Sequence, residues 1–332
     1  MNIEVVDSVD EVEWNNALKK YNFSMLQSHE FSKFVSDSSK YIVARDNSGE
    51  IVGGLTYHIV NFIFTNVAQT HAPPFGINDE IKTQVLKEFK KLHYKIKIVN
   101  TSFFDEKENI KIFTDSGFLP TEKGTVVVDL KRDLDQLWKN IDKKRRYDIK
   151  QSEKLGVKIS EQTANPLAWK DFCKIYFNAS KEWNGVPLEE SYFSQFQKYL
   201  VPSGLAKLFL AEYNNQFVSG AIVTISGNIL TFLINATDPS MKNTKANSLL
   251  VWELIKYGKC ENFTYFDLCG YDLHAKKGEK QFSISMFKAS FGGVIKRYNK
   301  FSSSKLFIIL RKFYNKLRII NKLYSFFKKS RV

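Results

Sequence analysis

The sequence predicts a mixed α/β fold (α+β in its sheets) with two similar domains from an internal duplication, followed by a basic amphipathic helix. Three observations predict it. A β-hairpin pattern occurs twice, helical patterns flank both copies in the same order, and the excess positive charge lies at the C-terminal end. The 332 residues are 43% apolar and 25% charged, as in globular proteins. This length suits two domains better than one core.

The duplication is visible in two stretches that share one pattern. Residues 41–60 read YIVARDNSGEIVGGLTYHIV, and residues 208–227 read LFLAEYNNQFVSGAIVTISG. Each has two apolar runs around a polar turn, which is typical of a β-hairpin. Aligning Ala44 with Ala211 brings Gly54 opposite Gly220. A hairpin that recurs after half the chain indicates two copies of one domain rather than a short-period solenoid.

The segments around the hairpins predict mixed α/β units. Helical patterns cover 9–21, 29–37 and 79–93 around the first hairpin, and 169–181, 188–200 and 247–260 around the second. Strand-like runs follow the second hairpin at 229–238 and 264–270. The repeat boundary is expected within 120–129, where GTVVVDL starts a strand. We therefore expect domains at 1–124 and 125–303, and a tail helix at 304–332.

Composition narrows the class of protein. The N-terminal MNIEVVDSVDEVEW is acidic and has no apolar segment of the kind found in signal peptides. No apolar run approaches the roughly 20 residues that span a bilayer. The three cysteines form no CxxC pair and the five histidines no HExxH spacing, which argues against a zinc site. We expect a cytoplasmic protein without a bound metal or a tightly bound cofactor.

The net charge of +14 lies at the C-terminal end of the chain. The last 53 residues hold 14 lysines and arginines and no acid, so the remaining 35 basic residues balance the 35 acidic ones. Apolar residues of the tail recur at alternating steps of 4 and 3, as on one face of a helix: Leu306, Leu310, Phe313, Leu317, Ile320, Tyr324 and Phe327. A basic helix of this kind predicts a peripheral anchor on an anionic membrane surface. Packing on the protein's own body or a partner, and contact with tRNA, are the alternatives.

Five motifs in order resemble those of the Fem-type aminoacyltransferases and their polysaccharide-locus relatives, which are tandem GNAT-fold proteins. The motifs are MLQSHEFSKF (25–34), LWKNIDKKRRYDIKQSEKLGVKI (137–159), NSLLVWELIKYG (247–258), YFDLCG (265–270) and FKASFGG (287–293). The resemblance covers nearly the whole chain. It implies two GNAT-like domains and an enzyme that joins an activated carboxyl group to an amine, commonly on a cell-wall precursor. The donor in the family is aminoacyl-tRNA, or acyl-CoA in other GNAT-fold relatives.

The resemblance also implies that Lys288, with Phe287 beside it, lies at the reaction centre. There the ammonium would neutralise phosphate or the oxyanion of a tetrahedral intermediate, a task that needs a fixed positive donor. The surrounding SMFKASFGG is interpreted as an apolar strand. The alternative is that the Lys288 stem lies on the core while its ammonium reaches water.

Basic residues of the central motif predict a phosphate-binding face. Lys139, Lys143, Arg146 and Lys150 are spaced 4, 3 and 4 apart, which places them on one side of a helix. Such a stripe can bind the phosphates of tRNA or of a nucleotide-linked precursor, although a solvated face has the same pattern. Arg146 matches the family's arginine and Tyr147 its aromatic neighbour. Arg146 can hold a phosphate with both arms of its guanidinium.

Asp267 follows an apolar strand and precedes Gly270. A carboxylate at a strand's C-terminal end can orient or deprotonate an amine, and capping a turn before glycine is the equal alternative. Tyr271, on the same loop, is expected to contact substrate. No Ser/His/Asp or Cys/base order is visible, so we expect direct attack by the amine.

One absence bears on the donor. Acetyl-CoA-binding GNAT proteins cradle the pyrophosphate on a glycine-bearing turn, whereas residues 241–248 read MKNTKANS. Lys245 remains able to bind phosphate by charge. We therefore expect aminoacyl-tRNA as donor and a nucleotide- or lipid-linked cell-envelope precursor as acceptor. The alternatives are an acyl-CoA-dependent transferase acting on an amino sugar, and an inactive scaffold that binds envelope glycolipid at the membrane.

Overall fold

The computed structural model describes residues 1–21, 24–62, 65–105, 110–183 and 186–314. It divides into two compact units, Met1–Lys123 with Arg297–Val332, and Gly124–Lys296. The predicted mixed α/β class is confirmed. The strands are β1 (Asn2–Val6), β2 (Lys40–Arg45), β3 (Ile51–Phe62), β4 (Thr65–Thr70), β5 (Phe75–Gly76), β6 (Ile96–Val99), β7 (Leu119–Asp129), β8 (Lys158–Glu161), β9 (Ala206–Tyr213), β10 (Gln216–Ser226), β11 (Ile229–Thr237), β12 (Tyr265–Asp267) and β13 (Val294–Ser302).

The sheet of the first unit has the order β1-β2-β3-β4-β6-β13, with β5 beside β3. Only β4 and β6 run parallel; the other neighbours with a recorded register are antiparallel. Helices of this unit are α1 (Glu11–Lys20), α2 (His29–Val35), α3 (Asp79–Lys91), α4 (Ile110–Asp115) and α11 (Lys305–Tyr314). Helix α1 begins at Asp10, whose side chain accepts a hydrogen bond from the amide of Glu13, as an N-cap should.

The second unit has the strand order β7-β12-β11-β10-β9-β8. Its helices are α5 (Leu134–Asn140), α6 (Lys143–Lys154), α7 (Pro166–Ser180), α8 (Glu190–Gln195, continued by a π-helical turn over Phe196–Leu200), α9 (Ala246–Cys260) and α10 (Lys280–Ala289). Helix α9 packs against α6 and β10, and Leu250, Val251 and Leu254 on it are fully buried.

The two hairpins that indicated duplication are equivalent in register. Gly54 faces Val43 across β2 and β3, and Gly220 faces Leu210 across β9 and β10. A Cβ on Gly54 would lie 2.6 Å from the ring of Trp14, and one on Gly220 would lie 2.7 Å from the ring of Phe172. Each glycine therefore makes room for an aromatic side chain of the helix packed on its hairpin. This shared packing explains why glycine recurs at this position.

Two local expectations are wrong. The stretch SMFKASFGG is not a strand, because residues up to Ala289 form the end of α10. The stripe from Lys139 to Lys150 does not lie on one helix, because α5 ends at Asn140 and α6 begins at Lys143. Between the two helices Asp142 is the N-cap of α6, and its side chain accepts a hydrogen bond from the amide of Lys144.

The ends of the units differ from the expected limits. The division falls between Lys123 and Gly124, and the residues from Arg297 onward belong to the first unit rather than to the second. The reason is that Phe301 and Ser302 of β13 pair with β6. Phe301 also stacks on Phe113, with ring centroids 4.1 Å apart.

The tail begins as the helix α11. Phe307 is 5% exposed and packs on Val67 and Ile98 of the first unit's sheet. Leu306, which belongs to the predicted apolar stripe, is 64% exposed. The remainder of the predicted tail helix, 315–332, lies outside the described residues.

Candidate active site

The parallel strands β11 and β12 of the second unit part from each other. They pair only at Ile229, Leu230 and Thr231 of β11, although β11 continues for six more residues to Thr237. Among the described residues, no strand pairs with that edge of 232–237. The edge therefore presents backbone N–H and C=O groups that an extended ligand containing amides can bind.

Asp267 is the last residue of β12, at the point where the strands part. Its side chain is 8% exposed. Oδ1 accepts a hydrogen bond from the hydroxyl of Thr125 and one of 2.8 Å from the amide of Cys269. Burial raises the pKa of this carboxyl, and these two bonds and the charge of Lys288 only partly offset the effect. A buried carboxylate of this kind is a stronger base than an exposed one.

Lys288 approaches the same turn from the end of α10. Its Nζ donates to the carbonyl oxygens of Cys269 at 3.0 Å and Gly270 at 3.3 Å. Cys269 has a φ of +58° and Gly270 one of +20°, and this backbone geometry turns both carbonyl groups toward the ammonium. The side chain is half-buried, and burial lowers the pKa of Lys288. The ammonium is therefore held on the turn.

The turn thus links the two predicted catalytic residues. The amide of Cys269 binds Asp267 and the carbonyl of Cys269 binds Lys288. A carboxylate that can accept a proton and a fixed cation that can stabilise negative charge are thus bound by the two backbone polar groups of one residue, Cys269. Within the described residues, no three His, Cys, Asp or Glu side chains are close enough to hold a metal ion.

Two further predicted residues lie beside this turn. Tyr271 donates its amide to the carbonyl of Gly124 at 2.8 Å and packs against the core. Phe287 precedes Lys288 and contacts Phe291 edge-on, with ring centroids 5.2 Å apart.

The predicted phosphate-binding residues of α6 are placed differently. Nη1 of Arg146 donates to the carbonyl groups of Trp138, Lys139 and Ile141, at 3.3, 2.8 and 2.9 Å, and so closes the end of α5. Nζ of Lys150 lies 5.9 Å from the ring centroid of Trp138, and Tyr147 is 61% exposed. A role of these residues in phosphate binding stays a prediction.

Lys245 occupies the start of α9. It is exposed and takes a left-handed conformation with a φ of +57°, which favours glycine and costs another residue about 1–2 kcal/mol. Its side chain makes no capping hydrogen bond to the helix. A lysine thus takes a backbone conformation here that glycine usually supplies.

Sequence reasoning missed two residues of this region. Thr125, whose hydroxyl binds Asp267, is one residue among many in a strand, and no local signal identifies it. Arg145, beside the predicted Arg146, contacts the rings of Phe287 and Phe291. Its signal was the pair of phenylalanines four residues apart in FKASFGG, a spacing that places two rings on one face of a helix end.

Comparison with known proteins supports the fold and its class. Residues 141–277 match the family model of the acetyltransferase (GNAT) domain. The solved structure of FemX has a TM-score of 0.73 at 13% identity, covering 96% of this chain and 100% of that chain. The C-terminal domain (DUF2156) of a putative lysylphosphatidylglycerol synthetase from Agrobacterium fabrum has a TM-score of 0.63 at 12% identity, covering 91% and 93%. A tandem GNAT protein from the clavulanic acid biosynthesis pathway has a TM-score of 0.52 at 12% identity, covering 91% and 98%.

A sequence search of curated proteins finds no match to this chain. At these identities the solved structures are similar in fold alone, while the domain model also matches in sequence. The resemblance of the five motifs to tandem GNAT proteins is confirmed at this level. Residues 141–277 therefore belong to a domain of the GNAT acetyltransferase class, and the chain as a whole has the fold of FemX and of a tandem GNAT protein.

Proposed function

We propose that the protein forms an amide bond between an activated acyl group and an amine of a cell-envelope precursor. The reaction takes place in the second unit, where β11 and β12 part. The observation that carries the proposal is the turn over 267–270, which holds the carboxylate of Asp267 and the ammonium of Lys288 on its two sides. The fold of FemX, and the name of the lysylphosphatidylglycerol synthetase, support an acceptor of the envelope.

The proposed reaction needs no covalent enzyme intermediate. The amine nitrogen attacks the acyl carbonyl carbon, and the resulting oxyanion is stabilised by the ammonium of Lys288. Asp267 takes a proton from the attacking nitrogen, and its raised pKa suits this task at neutral pH. When the carbon–oxygen or carbon–sulfur bond of the donor breaks, the leaving atom takes up a proton and the amide remains.

The proposed donor is an aminoacyl-tRNA, with phosphates held by Lys245, Arg146 and Lys150. One observation favours acyl-CoA as a second candidate. Lys245 supplies a left-handed turn at the start of α9, a conformation that glycine usually supplies, and the open edge of β11 can bind the amides of an extended donor. A left-handed turn thus forms at the start of α9 without glycine, so the glycine-free sequence does not exclude acyl-CoA as donor.

We also propose that the tail brings the enzyme to an anionic, cytoplasmic membrane face, where a lipid-linked acceptor lies. Leu306, Ile309 and Leu310 of α11 are exposed. The sequence that follows contains lysines and arginines among apolar residues and no acidic residue. Exposed aliphatic side chains next to lysines and arginines are typical of interfacial helices. No helix among the described residues is long and apolar enough to cross a bilayer.

A donor screen tests the proposal. Purified protein is offered charged tRNAs and acyl-CoAs with envelope glycolipid acceptors, and amide products are measured by mass spectrometry. We expect turnover with one donor class, reduced about 10²- to 10³-fold by Lys288→Ala, because a charge that stabilises an oxyanion is lost.

The matched control is Lys280→Ala at the other end of α10. There Nζ donates to the carbonyl of Glu182, away from the turn over 267–270. Full activity of Lys288→Ala would refute the catalytic assignment. No turnover with any donor, together with binding to anionic liposomes that deletion of 304–332 abolishes, would identify an inactive scaffold instead.

A further inference from the structure

Arg145 makes contacts with three elements of the second unit. Nε donates to Oγ of Ser290 at 3.1 Å, and Nη1 donates to Asp148 and to Ser248, both at 2.9 Å. The guanidinium carbon lies 4.4 Å from the ring centroid of Phe287 and 5.6 Å from that of Phe291. The side chain is 16% exposed. One guanidinium therefore ties α6 to the first turn of α9 and to the end of α10.

Helix α10 is held by other contacts as well, since the amide of Asp142 donates to the carbonyl of Ser290 at 2.9 Å and Phe287 packs against the core. Its first turn has no side-chain cap, and Ser285 is its only buried residue. The end of the helix is ordered around Ser290, whose hydroxyl donates to the carbonyl of Phe287 while it accepts from Arg145. Lys288 lies between these two residues on the same turn of helix. Whatever fixes Ser290 and Phe287 thus also fixes the direction of the lysine stem.

We propose that Arg145 is a positioning residue for Lys288. It holds the last turn of α10 so that the ammonium of Lys288 lies on the carbonyl groups of Cys269 and Gly270. The catalytic meaning of this role rests on the proposed function, whereas the placement itself does not. The alternative is that Arg145 only stabilises the fold.

The chemistry of arginine suits this role better than that of lysine. A planar guanidinium donates hydrogen bonds in its plane while its face packs on aromatic rings. A lysine at position 145 would keep the charge near Asp148, but a single ammonium cannot bind Ser290 and Ser248 and also stack on Phe287. Arg145→Lys therefore removes the positioning contacts while it keeps a positive charge beside Asp148.

The test measures Lys288 without using enzyme activity. Lysines of the full-length protein are acetylated competitively with acetic anhydride at a series of pH values, and the peptide containing Lys288 is quantified by mass spectrometry. In the unaltered protein burial lowers the pKa of Lys288, and the charges of Cys269 and Asp267 only partly offset this effect. In Arg145→Lys the ammonium leaves the turn, so the pKa of Lys288 rises toward the ordinary value. At high pH, where the lysines are neutral, its labelling increases because the amine is more exposed.

Lys144→Ala is the matched control, since Lys144 lies next to Arg145 on α6 and is exposed. It should leave the titration of Lys288 unchanged. If Arg145→Lys does not fold, Ser290→Ala removes the acceptor of Nε and should shift Lys288 in the same direction. An unchanged Lys288 titration in the folded variant would overturn the proposal.

Turnover separates this inference from the proposed function. With the donor found in the screen, Arg145→Lys should lower kcat by about 10²-fold, the cost of a misplaced group of about 1 Å, with little change in KM. A shifted Lys288 titration without an effect on kcat would support the positioning role and refute the catalytic role of Lys288. Equal losses of kcat in Arg145→Lys and Lys144→Ala would assign the loss to a general destabilisation of α6 and overturn the positioning role.

Discussion

Replacing Asp267 by asparagine should abolish most of the activity without weakening the fold. Asparagine has the shape of aspartate, and its Oδ1 can still accept from the hydroxyl of Thr125 and the amide of Cys269. What the substitution removes is the negative charge and the capacity to take a proton. The two interpretations of Asp267, a base for the reaction or a cap for the turn, differ in what they expect for stability.

If Asp267 is only a turn cap, the loss of charge should destabilise the fold. Hydrogen bonds to charged groups contribute about 1 kcal/mol more than neutral ones, so two weakened bonds cost about 2 kcal/mol. At about 2–4 °C per kcal/mol for a chain of at least 150 residues, the melting temperature would fall by several degrees.

The pKa of Asp267 indicates the opposite sign. Burial raises it above the value in the unfolded chain, and this effect exceeds those of Thr125, Cys269 and Lys288. Between the two pKa values the unfolded state releases its proton first, so the free energy of unfolding decreases as pH rises through that interval. At neutral pH the charge therefore opposes folding, and Asp267→Asn should keep or raise the melting temperature. Loss of a general base should lower kcat by about 10²- to 10⁴-fold.

The assay compares this variant with Asp46→Asn. Asp46 caps the turn between β2 and β3, and hydrogen bonding from Ser48 lowers its pKa. Its carboxylate thus favours folding above the ordinary pKa, so Asp46→Asn should lower the melting temperature and leave kcat unchanged. Melting curves and kcat are measured at pH 7 for both variants. If Asp267→Asn behaves like Asp46→Asn, with full activity and a lower melting temperature, Asp267 is a cap and the reasoning fails.

Two further predictions concern the first unit. Burial lowers the pKa of His58 to about 4 and that of His71, stacked on it at 4.7 Å, to about 3. Stability contributed by neutral His58 is therefore present above pH 6.5 and is lost as pH falls toward 4. In urea unfolding, acidification from pH 7 to pH 4 should lower the free energy of unfolding by about 3 kcal/mol less in His58→Phe than in the unaltered protein. An equal loss in both proteins would contradict the assignment. In α11, Phe307→Ala should cost about 3–5 kcal/mol of stability without changing how much protein sediments with anionic liposomes. Leu306→Glu should reduce this sedimentation and leave stability unchanged. The reverse pattern would contradict the assignment of Leu306 to the membrane-facing side.

The sequence predicted the elements whose periodicity is strong and local. The hairpins around Gly54 and Gly220 and the helices α3, α7 and α9 lie within a few residues of the expected bounds. The interpretation of SMFKASFGG failed because a short apolar run fits a strand as well as a helix. Helix α10 also lacks the N-terminal cap that would have identified it.

The roles on α6 could not be read from sequence, because neighbouring residues on a helix point about 100° apart. Arg145 reaches α10 whereas Arg146 reaches α5, and the break at Asp142 decides which of them faces which element. The left-handed Lys245 was also invisible, since nothing in its sequence indicates a conformation that glycine usually supplies. Local patterns specify elements, while side-chain directions depend on where those elements end.

The duplicated units differ where their parallel strands end. In the first unit β4 and β6 pair up to Thr70, the last residue of β4, and the side-chain amide of Asn100 donates to the Thr70 carbonyl at 2.6 Å. In the second unit β11 pairs with β12 as far as Asp267 and then, within the described residues, runs on unpaired for six residues, so its edge stays open. Asp267 and Lys288 lie at this point, which is why we place the chemistry in the second unit.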